Sequence, residues 1–246
     1  MIKILVIGER CVDKFVYCKT NRISPEAPVP VINPITTTTN EGMAGNTLAN
    51  VKSLFPNSFV RGIHQKEEIL KTRFVEDKSN HMFIRLDEGD NFHDTFDWDE
   101  NAYASIKESD IVIVSDYNKG FLSDSDLKAI SYRSKLSILD SKRKLTDDII
   151  KNFDFVKLNE EEWENNYELD SKNIIVTLGA RGSRYMGDTF PSDNPQETID
   201  VSGAGDTFTA AFIIKYFQLK QVDKAIIFAN QKSSEVVSKR GVVVPS

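Results

Sequence analysis

A chain of 246 residues, 40% of them hydrophobic, is long enough to bury the core of one large α/β domain or two small ones. Its 31 Lys and Arg against 37 Asp and Glu leave a formal charge of -6, which argues against a nucleic-acid surface and leaves a small anionic substrate open, since a few local cations suffice to hold phosphate. No apolar stretch approaches bilayer-spanning length, residues 1–7 lack a signal-peptide pattern, and the only cysteines are Cys11 and Cys18, so the expectation is a cytoplasmic chain with two structural thiols and no membrane partner.

In chain order, residues 2–7 form a short apolar run that predicts a strand buried on both faces. Residues 12–39 carry Pro25, Pro28, Pro30 and Pro34 and then four threonines, a composition that suits an extended ribbon better than a helix. A small β lid is predicted there, over about residues 12–40, and a second lid segment over 71–87 contains strands at 72–75 and 82–86 around Lys78, Ser79 and Asn80. Between the two lid segments, residues 46–55 have a helical pattern; after them, the acidic stretch 87–100 reads as a solvated loop leading into a helix start. Strand-like runs then recur at 111–115, 136–139, 155–158 and 174–178, with helical patterns at 124–133 and 147–153. Strands alternating with helices predict an α/β fold with a mostly parallel central sheet flanked by helices, taken as one domain over 1–246. His64, His81 and His93 lie far apart with no Cys or carboxylate at ligand spacing, so zinc has little support.

The most informative stretch is Asp200-Val201-Ser202-Gly203-Ala204-Gly205-Asp206-Thr207, followed by an apolar helical run over 208–217. Gly203 and Gly205 permit a loop whose backbone N–H groups point outward, and the helix N-terminus behind them adds partial positive charge, which suits an anion. Asp206 then stands in the first helical turn, where a carboxylate can accept the proton of an attacking hydroxyl. Taken alone, these letters also fit a tight turn with Ser202 or Asp206 as helix cap. A P-loop would need Lys and then Ser or Thr after its last Gly, and a dinucleotide fingerprint would open the first βα unit; neither fits.

With its surroundings, the motif resembles the C-terminal D-T-x-G-A-G-D signature of the ribokinase-like (PfkB) carbohydrate kinases. Gly42-Met43-Ala44-Gly45-Asn46, with Asn50 beyond, is similar to their N-terminal G-G-x-x-N signature. Within that family the chain resembles the kinases of D-glycero-D-manno-heptose 7-phosphate through the run from Asn21, Arg22 and Ile23 to Pro30 and Val31, and through Ser115-Asp116-Tyr117-Asn118-Lys119-Gly120. Further matches are Ile84-Arg85-Leu86-Asp87, Asp140-Ser141-Lys142 in place of D-P-K, Asn159-Glu160-Glu161-Glu162 and Phe228-Ala229-Asn230.

The resemblance implies a ribokinase-like fold with Asp206 as base and the backbone of Gly203, Ala204 and Gly205 as anion hole. Asp13, Gly42 and Asn46 would face the sugar, and Lys71 or Arg73 would meet its distal phosphate. Asn159 and Glu162 would help hold Mg-ATP, Glu162 reaching Mg2+ through water, while Thr177, Gly179 and Gly182 would edge the nucleotide. On their residues alone, Asp13 reads as a turn cap, Asn46 as a helix cap, Lys71 and Arg73 as a solvated pair, Asn159 and Glu162 as an acidic helix start, and the glycines as a simple turn. The implied reaction moves the γ-phosphoryl group of ATP to a sugar-phosphate hydroxyl, the anomeric one for the heptose. The alternatives are a kinase for another sugar or sugar phosphate and a non-catalytic sugar or nucleotide binder. A homodimer through the lid is the assembly to look for.

Two departures stand out. Met43 replaces the second Gly of the sugar signature, and the chain is shortened between Val60 and Lys71 and after Glu162, which predicts the loss of a βα unit near a sheet edge. No nucleotidyltransferase sequence follows Ser246, so the kinase half is expected to stand alone.

Overall fold

The computed structural model describes residues 1–91, 94–169, 172–192, 203–237 and 245. His93 and the first three letters of the glycine motif, Asp200, Val201 and Ser202, lie outside the described residues. The chain runs β1 (Lys3–Gly8), β2 (Arg10–Ile23), β3 (Pro30–Met43), α1 (Ala44–Leu54), β4 (Phe59–Ile63), β5 (Ile69–Glu76), β6 (Met82–Glu88), α2 (Glu100–Glu108), β7 (Ile111–Asp116) and α3 (Asp124–Arg133). It continues through β8 (Ser137–Ser141), α4 (Asp147–Ile150), β9 (Phe155–Asn159), α5 (Glu160–Glu164), β10 (Ile174–Thr177), β11 (Ser183–Tyr185), β12 (Asp188–Phe190), α6 (Ala204–Leu219) and α7 (Val222–Val237).

Eight strands form the main sheet in the order β12-β11-β10-β9-β8-β7-β1-β4. From β4 to β10 all neighbours are parallel; β11 and β12 add an antiparallel end. The apolar runs in β1, β7, β8 and β9 are there because both faces are covered. Ile4 and Val6 pack toward α1, α6 and α7, while Leu5 and Ile7 pack toward α2, α3 and α4. Local chemistry sets several helix starts: Asp99 accepts from the Ala102 N–H at 2.6 Å, and Ser123 forms a capping box with Asp126.

The second sheet has the order β3-β2-β5-β6 and covers the lid strands expected from the sequence. It continues from β1 with a single residue, Glu9, between β1 and β2. Three expectations need adjustment. The helix expected over 147–153 is one turn, Asp147–Ile150, after which the chain passes to β9 through Phe153. The stretch 87–100 is not simply solvated: Phe96 is buried and meets Trp98 and Phe121 edge to face, which anchors it. Asn46 lies inside α1, so it is not a helix cap. Where a βα unit is expected to be lost, β4 edges the main sheet and reaches β5 through residues 64–68 with no helix between.

Candidate active site

Ligands of parallel α/β sheets bind beyond the carboxyl ends of the strands, beside the point where strand order reverses. Here that point is β1, flanked by β4 and β7. Glu9 follows β1, Tyr117 follows β7, Lys142 follows β8, Asn159 ends β9 and Thr177 ends β10. The N-terminus of α6 faces them across the same space, because its apolar turns, among them Phe208, Phe212 and Ile213, are buried against the sheet.

Gly203 caps α6 at φ 83°, a left-handed conformation that favours glycine. The first intrahelical bond runs from the Thr207 N–H to the Gly203 carbonyl at 3.0 Å, so the N–H groups of Ala204, Gly205 and Asp206 precede the helical ladder. A side chain at Gly205 would bring its Cβ to 2.9 Å from Lys157 Nζ. That ammonium lies directly behind the loop and is paired with both oxygens of Asp140 at 3.2 and 3.1 Å. Burial alone would lower the Lys157 pKa, but Asp140 and then Glu162 more than offset it, so the group stays cationic. Thr209 ties Asp140 to α6 by donating to Oδ2 at 2.9 Å.

Asp206 is 5% exposed and is not a cap: its Oδ2 accepts from Asn46 Nδ2 at 2.8 Å and its Oδ1 from the Tyr117 hydroxyl at 3.2 Å. Asn50, one turn after Asn46, donates to its Oδ1 at 3.1 Å and accepts from Thr207 at 2.8 Å, giving α1 and α6 a polar seam in otherwise apolar packing. Burial, and then the Asp140 charge, push the Asp206 pKa up to about 6 against the hydrogen bonds from Asn46 and Tyr117 and the Lys157 charge. A carboxylate with that pKa is ionised near neutrality and still a useful proton acceptor.

On the lid side, Asp13 on β2 lies across from Lys71 on β5 and Asn40 on β3, and is ion-paired with Arg73, the Asp13 side chain being buried and that of Arg73 mostly so. Lys71 is 8% exposed, lies over the Tyr117 ring at 5.8 Å from the centroid, and forms no ion pair with the described residues. The two cations are therefore not a solvated pair. A Cβ at Gly42 would meet Asp13 Oδ2 at 2.1 Å and Cys11 Sγ at 2.5 Å, which explains why glycine is needed there. Met43 adopts φ 55°, ψ -134° with a buried side chain in the apolar cluster that contains Leu5, Ile7 and Cys11. A non-glycine residue held there stores about 1–3 kcal/mol of strain, which its apolar burial offsets. Burial and then Asp13 push the Cys11 thiol up to about 12, so it is inert.

On the opposite side, a cavity of about 490 Å³ is lined by Asp206, Gly203, Ala204, Gly205, Asn159, Thr177, Gly179 and Gly182, together with Tyr117, Asp140, Lys142 and Lys157. Glu162 does not line it: with Asn159 it forms the capping box of α5, and it is ion-paired with Lys142. The acidic helix start read from composition is thus real, and it sits at the cavity's edge. Asp13, Gly42, Asn46, Lys71 and Arg73 lie on the lid side, with Asn46 and Tyr117 at the junction.

Sequence reasoning passed over Tyr117, Lys157, Glu9 and Arg143. Lys157 carried a signal, a charge inside the strand Phe155–Asn159, as charges are rarely buried unpaired. Glu9 is fully buried and accepts the N–H groups of Tyr117, Lys119 and Phe121 at 2.8, 3.0 and 3.3 Å, fixing the loop that carries Tyr117. Burial and then Asp116 raise its pKa.

The profile of the "pfkB family carbohydrate kinase" matches residues 55–246. The chain belongs to the pfkB family. Its fold is ribokinase-like: it superimposes on ribokinase of Arabidopsis thaliana complexed with ribose and ATP at TM-score 0.71 and 17% identity, covering 98% of this chain and 94% of that one. Phosphofructokinase-2 of Escherichia coli gives TM-score 0.72 at 15% identity over 100% and 96%. Among curated pfkB relatives, the bifunctional protein HldE of Campylobacter jejuni is 28% identical over 286 residues, covering 98% of this chain and 62% of that protein. HldE of Helicobacter pylori is 29% identical over 303 residues, covering 100% and 65%. The chain thus spans less than two thirds of these relatives. Alignments longer than its 246 residues agree with a shortened member of the family. Among the described residues, no helix is long and apolar enough to cross a membrane.

Proposed function

We propose that this chain transfers the γ-phosphoryl group of ATP to a hydroxyl of a sugar phosphate, and that the acceptor is the anomeric hydroxyl of D-glycero-D-manno-heptose 7-phosphate. The observation that carries the reaction is the buried Asp206 carboxylate, held by Asn46 and Tyr117 beside the α6 N-terminus, between the lid and the nucleotide-side cavity. The sugar hydroxyl oxygen bonds to the γ-phosphorus, the bond from that phosphorus to the bridging oxygen breaks with its electron pair leaving on ADP, and the hydroxyl proton passes to Asp206. The N–H groups of Gly203, Ala204 and Gly205 receive the charge that develops on the phosphoryl oxygens. Asp13 and Asn46 orient the sugar hydroxyls, Gly42 leaves room for Asp13, and the lid excludes water as a competing acceptor. Thr177, Gly179 and Gly182 border the nucleotide.

Mg2+ usually takes one or two carboxylates, with substrate phosphates and waters completing the shell. The residues present fit that pattern: no group of three or more His, Cys, Asp or Glu converges among the described residues, while Glu162 and Asn159 offer oxygens at the cavity edge. Bound with the nucleotide, the ion would neutralise phosphate charge. The setting proposed is the cytoplasm, where ATP is available and the buried free thiols Cys11 and Cys18 stay reduced.

The choice of a sugar phosphate rests on Lys71, a buried ammonium with no ion-paired carboxylate among the described residues, and on the HldE relatives for the heptose. In an ADP-release assay across a panel of sugars and sugar phosphates, the heptose 7-phosphate is expected to give the highest kcat/KM. Lys71→Met is expected to raise its KM about tenfold or more, leaving an unphosphorylated sugar unaffected. Faster turnover of a different sugar phosphate would overturn the heptose assignment, and an unchanged KM would remove Lys71 from phosphate binding.

The partner proposed is a second copy of the chain, docked through the lid. Ile84 and Leu86 of β6, 56% and 47% exposed, lie on the lid face opposite Lys71 and Arg73, along an edge strand whose backbone can pair further. Ile84→Glu with Leu86→Glu is expected to convert a dimer to a monomer by light scattering; a wild-type monomer at micromolar concentration would rule the interface out.

A further inference from the structure

Two lysines lie over the Tyr117 ring, Lys71 at 5.8 Å from the centroid and Lys142 at 5.6 Å. Lys71 belongs to the lid side. Lys142 belongs to the nucleotide side, where it lines the cavity with Asp206 and the glycine loop. The Tyr117 hydroxyl touches Asp206, so the ring beneath Lys142 also reaches the carboxylate proposed to take the proton.

The two lysines that line this cavity differ in how they are held. Lys157 is 3% exposed and fixed by both oxygens of Asp140, whereas the Lys142 side chain is 38% exposed with Glu162 as its only ion-pair partner among the described residues. Glu162 does not depend on that partner. Its Oε2 accepts the Asn159 N–H at 2.7 Å and its Oε1 accepts Asn159 Nδ2 at 2.8 Å, so α5 keeps its capping box if Lys142 leaves. An ammonium on a flexible stem, paired at a cavity wall with a carboxylate that is satisfied without it, can exchange that carboxylate for a phosphate at little cost.

We propose that Lys142 is a further catalytic residue, one that leaves Glu162 when ATP enters and binds the γ-phosphoryl group through the transfer. It forms and breaks no covalent bond; it donates hydrogen bonds to the phosphoryl oxygens as the bridging bond lengthens, and it frees the Glu162 carboxylate as the nucleotide arrives. The inference rests on the phosphoryl-transfer reading above, and its test separates the two.

Two readouts are needed, turnover on the best sugar phosphate and calorimetric binding of ADP and of a non-hydrolysable ATP analogue. Lys142→Met is expected to lower kcat by about 10²-fold or more with the sugar-phosphate KM within about twofold. It is expected to weaken the ATP analogue about tenfold while leaving ADP within about twofold, since only the γ-phosphate contact is lost. Lys142→Arg should recover part of both losses. The double variant Lys142→Met with Glu162→Gln should not recover turnover. Equal weakening of ADP and analogue, kcat within about threefold of wild type, or recovery of turnover in the double variant to the Glu162→Gln level would each overturn the proposal, the last by reducing Lys142 to a partner of Glu162. Should wild-type enzyme turn over no sugar phosphate, the acceptor reading fails while the contrast between ADP and analogue still decides the Lys142 contact.

Discussion

Asp206→Asn is expected to abolish most turnover and, at the same time, to raise thermal stability above pH 6. A general base typically contributes about 10²- to 10⁴-fold, and kcat is expected to fall by at least the lower figure because an amide cannot accept the hydroxyl proton. The stability gain follows from the raised pKa. Burial and Asp140 hold the carboxyl at about 6 in the folded protein against an ordinary 3.8, so the fold binds this proton more tightly than the unfolded chain does. The stabilisation from the bound proton is complete below pH 3.8 and is lost as pH rises through 6, so at pH 8 the ionised group weakens the fold by up to about 3 kcal/mol. Asparagine keeps the local bonds: its carbonyl can accept from Asn46 and its amide can donate to the Tyr117 hydroxyl. Calorimetry should therefore find the variant more stable than wild type at pH 8, with the difference closing by pH 4. The wild-type kcat/KM should fall as pH drops below about 6 for the same protonation. Near-normal turnover of the variant would remove Asp206 as base. A variant less stable than wild type at pH 8 would mean that its hydrogen bonds outweigh its buried charge.

That combination, a buried carboxylate costly to the fold and held in place by distant residues, marks the limit of what the sequence displays. The strands of the parallel sheet are legible because residues such as Ile111 to Val114 are buried on both faces and must be apolar throughout. The lid is legible because prolines and β-branched residues restrict the chain from Pro25 to Thr39. Asp206 is legible as a position after a glycine loop, but its raised pKa is not, since Asn46 is 160 positions away along the chain and Tyr117 is 89 away. Asn46 before an apolar run has the local form of a helix cap, and only the packing of α1 on α6 turns it toward a carboxylate. Asn159 and Glu162 show the converse: the helix start read from composition is present as a capping box, and Asn159 also lines the cavity. Met43 reads as an intrusion into the sugar signature, yet its side chain turns into the apolar cluster, at the cost of a left-handed φ. The settings of Asp206 and Asn46 have no local cause; they are decided by which strand end faces which helix.

Arg143 is the clearest case of a residue with no sequence signal and a large expected effect. Its guanidinium grips the fully buried Asp116 through Nε at 2.6 Å and Nη2 at 2.9 Å, bonds Asp124 through Nη1 at 2.7 Å, and donates to the Leu122 carbonyl at 2.8 Å. Burial alone would depress its pKa, but Asp116 more than offsets this and the group stays charged. Arg143→Met keeps the stem and removes the charge, leaving Asp116 buried beside Glu9, whose own pKa is already raised by burial and by Asp116. Stranding one member of a buried pair costs about 3–5 kcal/mol. For a chain of this length that corresponds to a fall in Tm of about 10 °C. The loss should reach the chemistry as well, because Asp116 adjoins Tyr117 and accepts the Asn118 N–H at 3.2 Å in the loop that Glu9 fixes. At a temperature where the variant remains folded, kcat is therefore expected to fall more than the KM for either substrate rises. Adding Asp116→Asn to Arg143→Met removes the stranded charge and should return part of the lost Tm, whereas lost packing alone would leave the double variant no better than the single. A single variant within about 1 kcal/mol of wild type would mean that water reaches Asp116 and that the loop carrying Tyr117 is held by Glu9 alone.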